Sequence, residues 1–348
     1  MSTAAPPIVL LGTDAHPSTV AAIATLAASA AAAEDRVGAA LDVAGAVAAA
    51  LPLPGAGATA TLWSALASVA AIDLGVARTL EPHLDALAIL AEAGASPAQD
   101  DAATWGVFAA EGAGHRLVAE QDGDDWRLTG SKPWCSLASR LDRALVTAVV
   151  DDRRGLFAVD LADAGVTVDD AAAWASHGLA DVPSVPIRLD DVRAQPVGEP
   201  GWYLERPGFA WGGIGVAAIW HGGAVGVART MRAAADRREP DDVALMLLGR
   251  VDRALAASGA LLAGAASAID AGAVDDAAVL ALRARGVAAA TVDEVLGCAD
   301  RALGPAPLAL DAQHARRVAD LHIYARQHHA DRDDVALGRA LVATGARW

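Results

Sequence analysis

The residues best suited to chemistry in this chain lie in one short segment, G-S-K-P-W-C-S at positions 130–136. Lys132 is the only lysine among the 348 residues, since every other cationic side chain is an arginine. Trp134 supplies a flat aromatic ring and Ser136 a hydroxyl, and side chains two positions apart on an extended strand face the same way. A ring beside a hydrogen-bonding group is a suitable wall for a planar ring cofactor. The alternative interpretation is a lone lysine that caps a turn.

A second group of reactive side chains lies in the densest polar run of the chain, residues 320–334. Helical spacing places His328 and His329 on the apolar stripe that includes Leu321. Polar groups on a buried stripe need partners, and a ligand, a metal or a neighbouring helix or subunit could supply them. Asp331 lies one turn beyond His328, but the sequence places no third ligand, so no metal site is predicted.

Composition and charge exclude several functional classes. The net charge is −16 and no basic cluster is present, so nucleic-acid binding is not expected. The two cysteines have no ligand spacing, which is typical of a reducing cytosol without structural zinc. No basic region precedes the N-terminal apolar stretch, and the apolar run at 20–33 is too short to span a bilayer. We therefore expect an acidic, cytoplasmic, globular protein.

The order of local patterns predicts the fold class. Residues 1–102 show helical spacing, and residues 204–348 are helical again. Between them, residues 103–203 show short β-type runs with turn pairs such as Asp122-Gly123, which is typical of a hairpin. Because βαβ alternation is missing, a doubly wound sheet is not expected. We predict an α+β protein with an N-terminal helical domain, a small antiparallel β-domain and a C-terminal four-helix bundle. The predicted bundle helices lie near 213–237, 241–270, 275–302 and 310–342.

The G-x-G-x-x-A pattern at 213–218 matches a dinucleotide-binding fingerprint. That fingerprint functions only where a buried strand leads directly into a helix, and the residues at 201–208 do not form such a strand. Close packing of two helices is therefore the preferred interpretation.

The block order, the G-S-K-P-W-C-S segment and the histidine-rich last helix together resemble the acyl-CoA dehydrogenase family. The similarity covers most of the chain from about residue 55 onward. The resemblance implies an α-domain, a β-domain and a C-terminal four-helix bundle that hold FAD between them. It also implies a homodimer or homotetramer.

In that family a G-x-K-x-W-[IV]-[TS] strand lies against the flavin. The resemblance implies that Trp134 packs by the ring, that Cys135 lies in the same strand, and that Ser136 bonds near flavin N5. The family loop T-E-P-G-A-G-S-D corresponds to residues 109–116, which keep G-A-G but replace the Ser-Asp pair that helps hold the thioester.

Further flavin contacts follow from the resemblance in the same way. Main-chain contacts are implied for Phe108 and Ala110, and Gly304 lies where a glycine-rich family loop meets FAD. His329 and Asp331 are expected around the flavin. Either of the arginines at 237 and 238 is expected to reach the pyrophosphate of a neighbouring subunit, and Arg238 is our principal choice.

The largest departure from the family concerns the catalytic base. Family dehydrogenases use a glutamate in an x-Y-E-G-T-S stretch, and no E-G-T is present here. Alignment on Asp320 puts His328 at that position, and histidine is a competent general base because its ordinary pKa is roughly 6.5. A glutamate elsewhere, Glu81 or Glu205, remains an alternative.

The expected function is therefore FAD-dependent α,β-dehydrogenation of an unusual acyl thioester carried by coenzyme A or a carrier protein. An electron-transfer flavoprotein is an expected partner. Two alternatives remain: a non-catalytic dehydrogenase-like partner subunit, and a flavin-dependent monooxygenase of the same fold.

Overall fold

The N-terminal block folds into four helices because alanine and leucine recur at helical spacing between clear breaks. In this computed structural model, which describes residues 6–95, 102–123, 125–237 and 239–345, aspartates cap the second and fourth of these helices. Asp35 accepts a hydrogen bond from the Gly38 amide and Asp73 accepts one from the Val76 amide. The helices are α1 (Pro17–Ala31), α2 (Arg36–Ala50), α3 (Thr59–Ile72) and α4 (Leu74–Glu92).

The middle block forms a barrel of seven strands. They are β1 (Trp105–Phe108), β2 (Leu117–Asp122), β3 (Asp125–Ser136), β4 (Arg143–Val150), β5 (Arg153–Asp160), β6 (Val166–Val168) and β7 (Ser184–Pro196). Strands β4, β2, β3, β7 and β5 pair in a closed circuit, with β1 and β6 added at its sides. The predicted fold class is confirmed, but β1 and β2 both run parallel to β4, so the sheet is not purely antiparallel.

Strand β3 runs through Gly130 and contains two register shifts. Gly130 has a φ of 130°, and a Cβ there would collide with the carbonyl oxygen of Arg116. Because Gly130 has no side chain, the loop before β2 can approach β3 closely. The Ser131 amide then donates to the same Arg116 carbonyl at 2.9 Å. Gly130 and Ser131 of β3 therefore fix the position of this loop.

The C-terminal block begins with a short helix and continues as a bundle. Its helices are α5 (Trp202–Glu205), α6 (Pro207–Arg237), α7 (Asp242–Asp270), α8 (Ala277–Leu303), α9 (Pro305–Leu310), α10 (Ala312–Tyr324) and α11 (Asp331–Thr344). The three long helices match the first three predicted ones. No helix in the described ranges has the length and apolarity that a membrane crossing requires.

The prediction of one continuous last helix over 310–342 is wrong. Helix α10 ends at Tyr324, a 3-10 turn follows at 325–327, and Ala330 has a φ of 49° before α11 begins. Acidic residues fill the first turn of α11, where the helix dipole favours negative charge, and the His329 amide donates to Asp333. Local capping therefore starts a new helix where the apolar spacing alone predicts continuation.

Small residues let α6 pack closely against α3, as predicted for the G-x-G-x-x-A segment. A Cβ at Gly222 would collide with the Ala67 carbonyl oxygen, and one at Gly215 would lie 3.4 Å from the Trp63 ring nitrogen. The segment lies inside α6 and is not preceded by a parallel strand. Helix–helix packing, rather than nucleotide binding, explains it.

Helix α4 connects the three blocks. Its C-terminal half packs Ile89 and Leu90 against Trp105 of β1 and Leu145 of β4. The same helix also contacts α6 and α10. Side chains on α4 can therefore reach both the barrel and the bundle.

Candidate functional site

Lys132 is buried and ties strand β3 to the loop at 109–116. Its side chain is 2% exposed, and its Nζ donates to Glu111 Oε1 at 2.8 Å and to Thr147 Oγ1 at 2.7 Å. Thr147 Oγ1 in turn donates to the Ala109 carbonyl at 3.4 Å. Burial lowers the pKa of Lys132, and the Glu111 carboxylate opposes that effect. The one lysine of the chain therefore positions a loop and does not cap a turn.

Replacing Lys132 by methionine is expected to lower the free energy of unfolding by about 1–3 kcal/mol, because the buried Thr147 hydroxyl loses its donor. Arg154 also contacts Glu111, at 3.3 Å, but its side chain is 34% exposed. The matched Arg154→Met change is expected to cost about 0–1 kcal/mol, as surface ion pairs do. Urea denaturation measures both. Equal losses for the two variants would contradict the positioning role of Lys132.

Trp134 projects from β3 with a strained backbone. Its φ is 61° and its side chain is 55% exposed, although it lies between buried neighbours. The register shift between Lys132 and Cys135 turns this ring outward. Trp174 stands edge-on to it with ring centres 6.4 Å apart, and Pro133 beside it lies against Gly112 of the loop. The exposed ring of Trp134 therefore forms a flat apolar surface beside the loop at 109–116.

Trp134 is exposed and Ser136 is buried, and the register shift between Lys132 and Cys135 interrupts the regular alternation of the strand. Cys135 is fully buried, its thiol donates to the Lys132 carbonyl at 3.3 Å, and burial raises its pKa to about 12. Only the main chain of Cys135 is therefore free to meet a cofactor.

Ser136 is buried at the end of β3 and faces the helices. Its hydroxyl accepts from Arg78 Nη2 at 3.0 Å and shares a hydrogen bond of 2.6 Å with Ser184. A hydroxyl has one donor and two acceptor positions, so Ser136 keeps capacity for one further hydrogen bond.

Arg78 belongs to a polar network that the sequence did not predict. Arg78 Nη1 lies 3.2 Å from Glu81 Oε2, and its guanidinium stands over the Tyr324 ring at 5.6 Å. The Tyr324 hydroxyl donates to Glu81 Oε2 at 3.5 Å. Burial raises the pKa of Glu81, and the Arg78 charge opposes that effect. Ser136 and Glu81 are thus joined through one arginine.

Glu81 and Asp85 lie one turn apart on the inner face of α4 and line one cavity. Burial raises the pKa of Asp85 to about 7, with a further contribution from the Glu81 charge. No hydrogen bond or ion pair within the described ranges reaches the Asp85 carboxylate. The cavity is otherwise mostly apolar, lined by Leu62, Trp63, Leu66, Leu84 and Trp211. The segment R-T-L-E-P-H-L-D at 78–85 indicates this arrangement in the sequence, because the charged residues at 78, 81 and 85 share one helical face.

Glu205, the other alternative glutamate, lies outside this network. Its side chain is 73% exposed and pairs with Arg153 at 3.5 Å. Of the two alternatives, only Glu81 is linked by side-chain contacts both to the barrel, through Arg78 and Ser136, and to the bundle, through Tyr324.

His328 follows the break after α10 rather than lying on a helical stripe, so the predicted shared face with His329 is wrong. Its Nε2 is 3.6 Å from Asp333, and its ring stands edge-on to Trp220 at 6.5 Å. Burial lowers its pKa, although Asp333 opposes this effect. The hydrogen bonds of the described residues do not include His328 in the Ser136–Glu81 network.

His329 and Asp331 lie at the surface beside His328. The His329 side chain is 66% exposed and its Nδ1 is 3.3 Å from Asp333. Asp331 is the first residue of α11 and is exposed. Among the described residues no cluster of three or more His, Cys, Asp or Glu side chains is arranged to hold a metal ion.

The remaining predicted residues lie in two places. Phe108 is buried at the end of β1, and Ala110 is exposed in the loop that Lys132 holds. Arg237 lines a cleft of 520 Å³ between the ends of α6, α7 and α9, and Leu303 and Ala306 on either side of Gly304 line the same cleft. Arg238 lies outside the described residues.

A barrel between an N-terminal helical block and a C-terminal helical bundle defines a known class of fold, and comparison with solved structures identifies it. FMN-bound TdsC from Paenibacillus sp. A11-2 superposes with a TM-score of 0.77 at 16% identity, over 94% of this chain and 98% of that one. Butyryl-CoA dehydrogenase from Megasphaera elsdenii gives 0.77 at 18%, over 94% and 99%. KijD3 in complex with FMN and a dTDP-linked amino sugar gives 0.75 at 20%, over 95% and 92%.

No family model matches the sequence, and no curated protein matches it. The similarity to solved structures covers nearly the whole chain and both terminal blocks. The chain therefore has the acyl-CoA dehydrogenase fold, and the resemblance predicted from the sequence is confirmed at the level of the fold.

Proposed function

We propose that this protein is a flavin-dependent oxidoreductase. The exposed Trp134 ring, held in a strained conformation beside the Lys132-anchored loop, is the observation that carries the proposal. A planar heteroaromatic group stacked on this ring would bury its exposed apolar face. That contact would offset the cost of the strained backbone at Trp134. TdsC, a structure of the same fold, is described with bound FMN, which supports a flavin as that group.

The residues present fit a flavin. Trp134 would pack against the isoalloxazine, the main chain at Phe108, Ala110 and Cys135 would lie along it, and Ser136 has one hydrogen bond to offer. FAD rather than FMN is favoured by the cleft at Arg237 and Gly304, which is wide enough for a nucleotide portion contributed by another copy. His329, Asp331 and Arg238 remain proposed contacts of the same cofactor.

When bound, the flavin would supply two-electron redox chemistry or, in its reduced form, activation of oxygen. The chain would supply the base. Glu81 is better placed than His328, because it is joined through Arg78 to Ser136 of the barrel and through Tyr324 to the bundle. A carboxylate whose pKa is raised toward neutrality accepts a proton more effectively than an ordinary one. Arg78 would hold the Glu81 carboxylate in one orientation, and the Tyr324 hydroxyl would donate a hydrogen bond to it from the bundle side.

We propose an acyl thioester of coenzyme A or a carrier protein as the substrate, with an electron-transfer flavoprotein as the electron acceptor. Butyryl-CoA dehydrogenase, which has the same fold, supports this choice. His115 and Arg116 stand where the family has the Ser-Asp pair that helps hold the thioester. His115 Nδ1 lies 3.1 Å from Ser131 Oγ. The acyl carrier must therefore be held differently.

A second candidate is a flavin-dependent monooxygenase, favoured by an equal structural similarity to TdsC, a dibenzothiophene monooxygenase. Oxygen consumption that depends on supplied reduced flavin would select this alternative. A protein that binds flavin but turns over neither class of substrate would be a non-catalytic partner subunit.

Absorbance of the purified protein tests the proposal, and Trp134→Ala makes the test specific. We expect the wild type to show the bands of an oxidised flavin. We expect the variant to bind flavin about tenfold more weakly, because a stacked aromatic pair contributes about 0.5–1.5 kcal/mol beyond the area it buries.

Val342→Ala is the matched control, because Val342 is an 85% exposed apolar residue on α11. It should leave both flavin affinity and stability unchanged. A colourless wild-type protein that takes up neither FAD nor FMN would overturn the proposed function.

A further inference from the structure

The loop between β6 and β7, residues 169–183, meets α10 through one strained residue. Leu179 has a φ of 51°, a left-handed conformation that a residue with a side chain rarely adopts. Its side chain is buried, and its amide donates to Asp320 Oδ1 at 2.6 Å. Such a conformation persists only where the surrounding structure fixes it. The Asp320 carboxylate therefore holds this end of the β6–β7 loop.

The loop and α10 are closely packed at the same contact. A Cβ at Gly178 would collide with the carbonyl oxygen of Ala319, so the loop needs a glycine where it reaches the helix. Asp320, the next residue of α10, is 4% exposed. The hydrogen bond from the loop therefore forms out of contact with water.

Asp320 lies beside a group of charges that pair with one another. Arg36 and Arg316 both pair with Asp73, at 3.4 and 3.3 Å, and no ion pair to Asp320 is found among the described residues. Burial raises the pKa of the Asp320 carboxyl to about 6, although the Leu179 amide and both arginines oppose that effect. The contact that Asp320 makes is thus a hydrogen bond to the loop, which requires an oxygen acceptor.

The β6–β7 loop is hydrogen-bonded along most of its length. At its start the Asp170 side chain caps a 3-10 turn at Ala171–Ala173, and the Trp174 amide closes this turn with a hydrogen bond of 3.0 Å. Near its other end Ser176 Oγ accepts from the Gly178 amide at 3.1 Å. Trp174 lies between these two fixed ends, so its position depends on both of them.

Trp174 is the residue through which this loop meets the exposed ring of Trp134. The two ring centres are 6.4 Å apart and the ring planes are nearly perpendicular, at 89°. Aromatic pairs prefer this edge-to-face arrangement. Because the Trp134 side chain is 55% exposed, the contact with Trp174 restrains a ring that is otherwise largely surrounded by solvent.

We propose that Asp320 is a positioning residue for the flavin site. It fixes the β6–β7 loop through Leu179, the loop sets Trp174 against Trp134, and the Trp134 ring is thereby held in the orientation in which it stacks on the cofactor. A side chain that is already ordered loses less conformational freedom when a ligand binds, so positioning raises affinity. The stacking step rests on the proposed function, whereas the ordering of the Trp134 ring does not.

A purely structural role for Asp320 would give a different pattern, and Asp270 provides the comparison. The Asp270 carboxylate also binds loop amides, those of Gly57 and Thr59 at 3.1 and 2.8 Å. Asp270→Ala therefore removes a similar loop contact without touching the tryptophan pair.

Fluorine NMR of protein labelled with 5-fluorotryptophan measures the two rings, and Trp134→Phe and Trp174→Phe assign their resonances. We expect Asp320→Ala to shift or broaden both resonances and to weaken flavin binding by about 2–10-fold. Asp320→Asn keeps an oxygen acceptor for the loop amide and should retain both resonances and the affinity. Asp270→Ala should lower stability and leave both resonances in place. Equal changes in Asp320→Ala and Asp270→Ala would overturn the positioning role.

A double-mutant cycle shows whether Asp320 acts through Trp174. In a Trp174→Ala background, we expect Asp320→Ala to have no further effect on flavin affinity, because the contact that it supports is already gone. Full additivity of the two changes would overturn the proposal. An unmoved Trp134 resonance in Trp174→Ala alone would also overturn it, even if Asp320→Ala does not fold.

The two measurements separate this inference from the proposed function. In one outcome the protein takes up neither FAD nor FMN, but Asp320→Ala moves the Trp134 resonance and Asp270→Ala does not. That result overturns the flavin proposal and retains the ordering of Trp134 by Asp320. A flavin-bound protein in which Asp320→Ala changes neither the resonances nor the affinity does the reverse.

Discussion

Glu81→Gln is expected to lower kcat/KM by about 10²–10⁴-fold on whichever acyl thioester the protein turns over. This is the usual contribution of a positioned general base. Glutamine keeps the shape of the side chain and can still contact Arg78 and Tyr324, but it cannot accept a proton. Anaerobic stopped-flow measurement of flavin bleaching after mixing with substrate reports the loss, and an unchanged flavin spectrum shows that the cofactor is still bound.

Two further variants make this result decisive. Glu205→Gln changes a carboxylate that is 73% exposed and should leave kcat/KM within about twofold, as surface substitutions usually do. His328→Ala tests the base that the sequence predicted. A large loss for His328→Ala with a small loss for Glu81→Gln would return the role to His328.

Asp85→Asn is expected to make the protein more resistant to unfolding at alkaline pH. The pKa of Asp85 is raised from 3.8 to about 7 in the folded state, so the folded state binds this proton more tightly than the unfolded chain does. The stabilisation from that proton is complete below about pH 4 and is lost as the pH rises through 7. The total loss is on the order of 4 kcal/mol, of which about 2–3 kcal/mol falls between pH 5 and 8.

Urea denaturation of wild type and variant at pH 5 and pH 8 measures this effect. The asparagine has no proton to lose, so the difference between the two proteins should grow with pH. Asp236→Asn is the control, because Asp236 forms only a surface pair with Arg232 and is 58% exposed. Parallel pH profiles for wild type and Asp85→Asn would show that Asp85 is ionised normally in the folded protein.

Several features of the fold could be read from the sequence because they depend on near neighbours. The Asp122-Gly123 pair predicted the hairpin between β2 and β3, and Gly123 has the expected positive φ of 63°. The residues before 213 favoured helix packing over a nucleotide-binding loop, and the close approach of α6 to α3 at Gly215 and Gly222 agrees with that preference. Periodicity also located the long bundle helices to within a few residues, except at 310–342.

The errors have one origin, which is local geometry that departs from ideal repeats. Strand alternation predicted like surroundings for Trp134 and Ser136, but next to the bulge Trp134 is exposed and Ser136 is buried. Helical spacing carried an apolar stripe past Tyr324, but the chain turns at 325–330 and the stripe ends. In each case a hydrogen-bonded irregularity outweighed the average pattern.

The sequence by itself determined the order of helical and β blocks, the G-S-K-P-W-C-S strand and the single lysine within it. Only the tertiary structure decided which side chains meet. Arg78 reaches Ser136 across 58 positions of the chain, and Tyr324 reaches Glu81 across 243. Local spacing in the sequence indicates only the face of a helix or strand on which a residue lies. Contacts between residues so far apart in the chain depend on how α4 packs between the barrel and the bundle, and that packing is a property of the whole core.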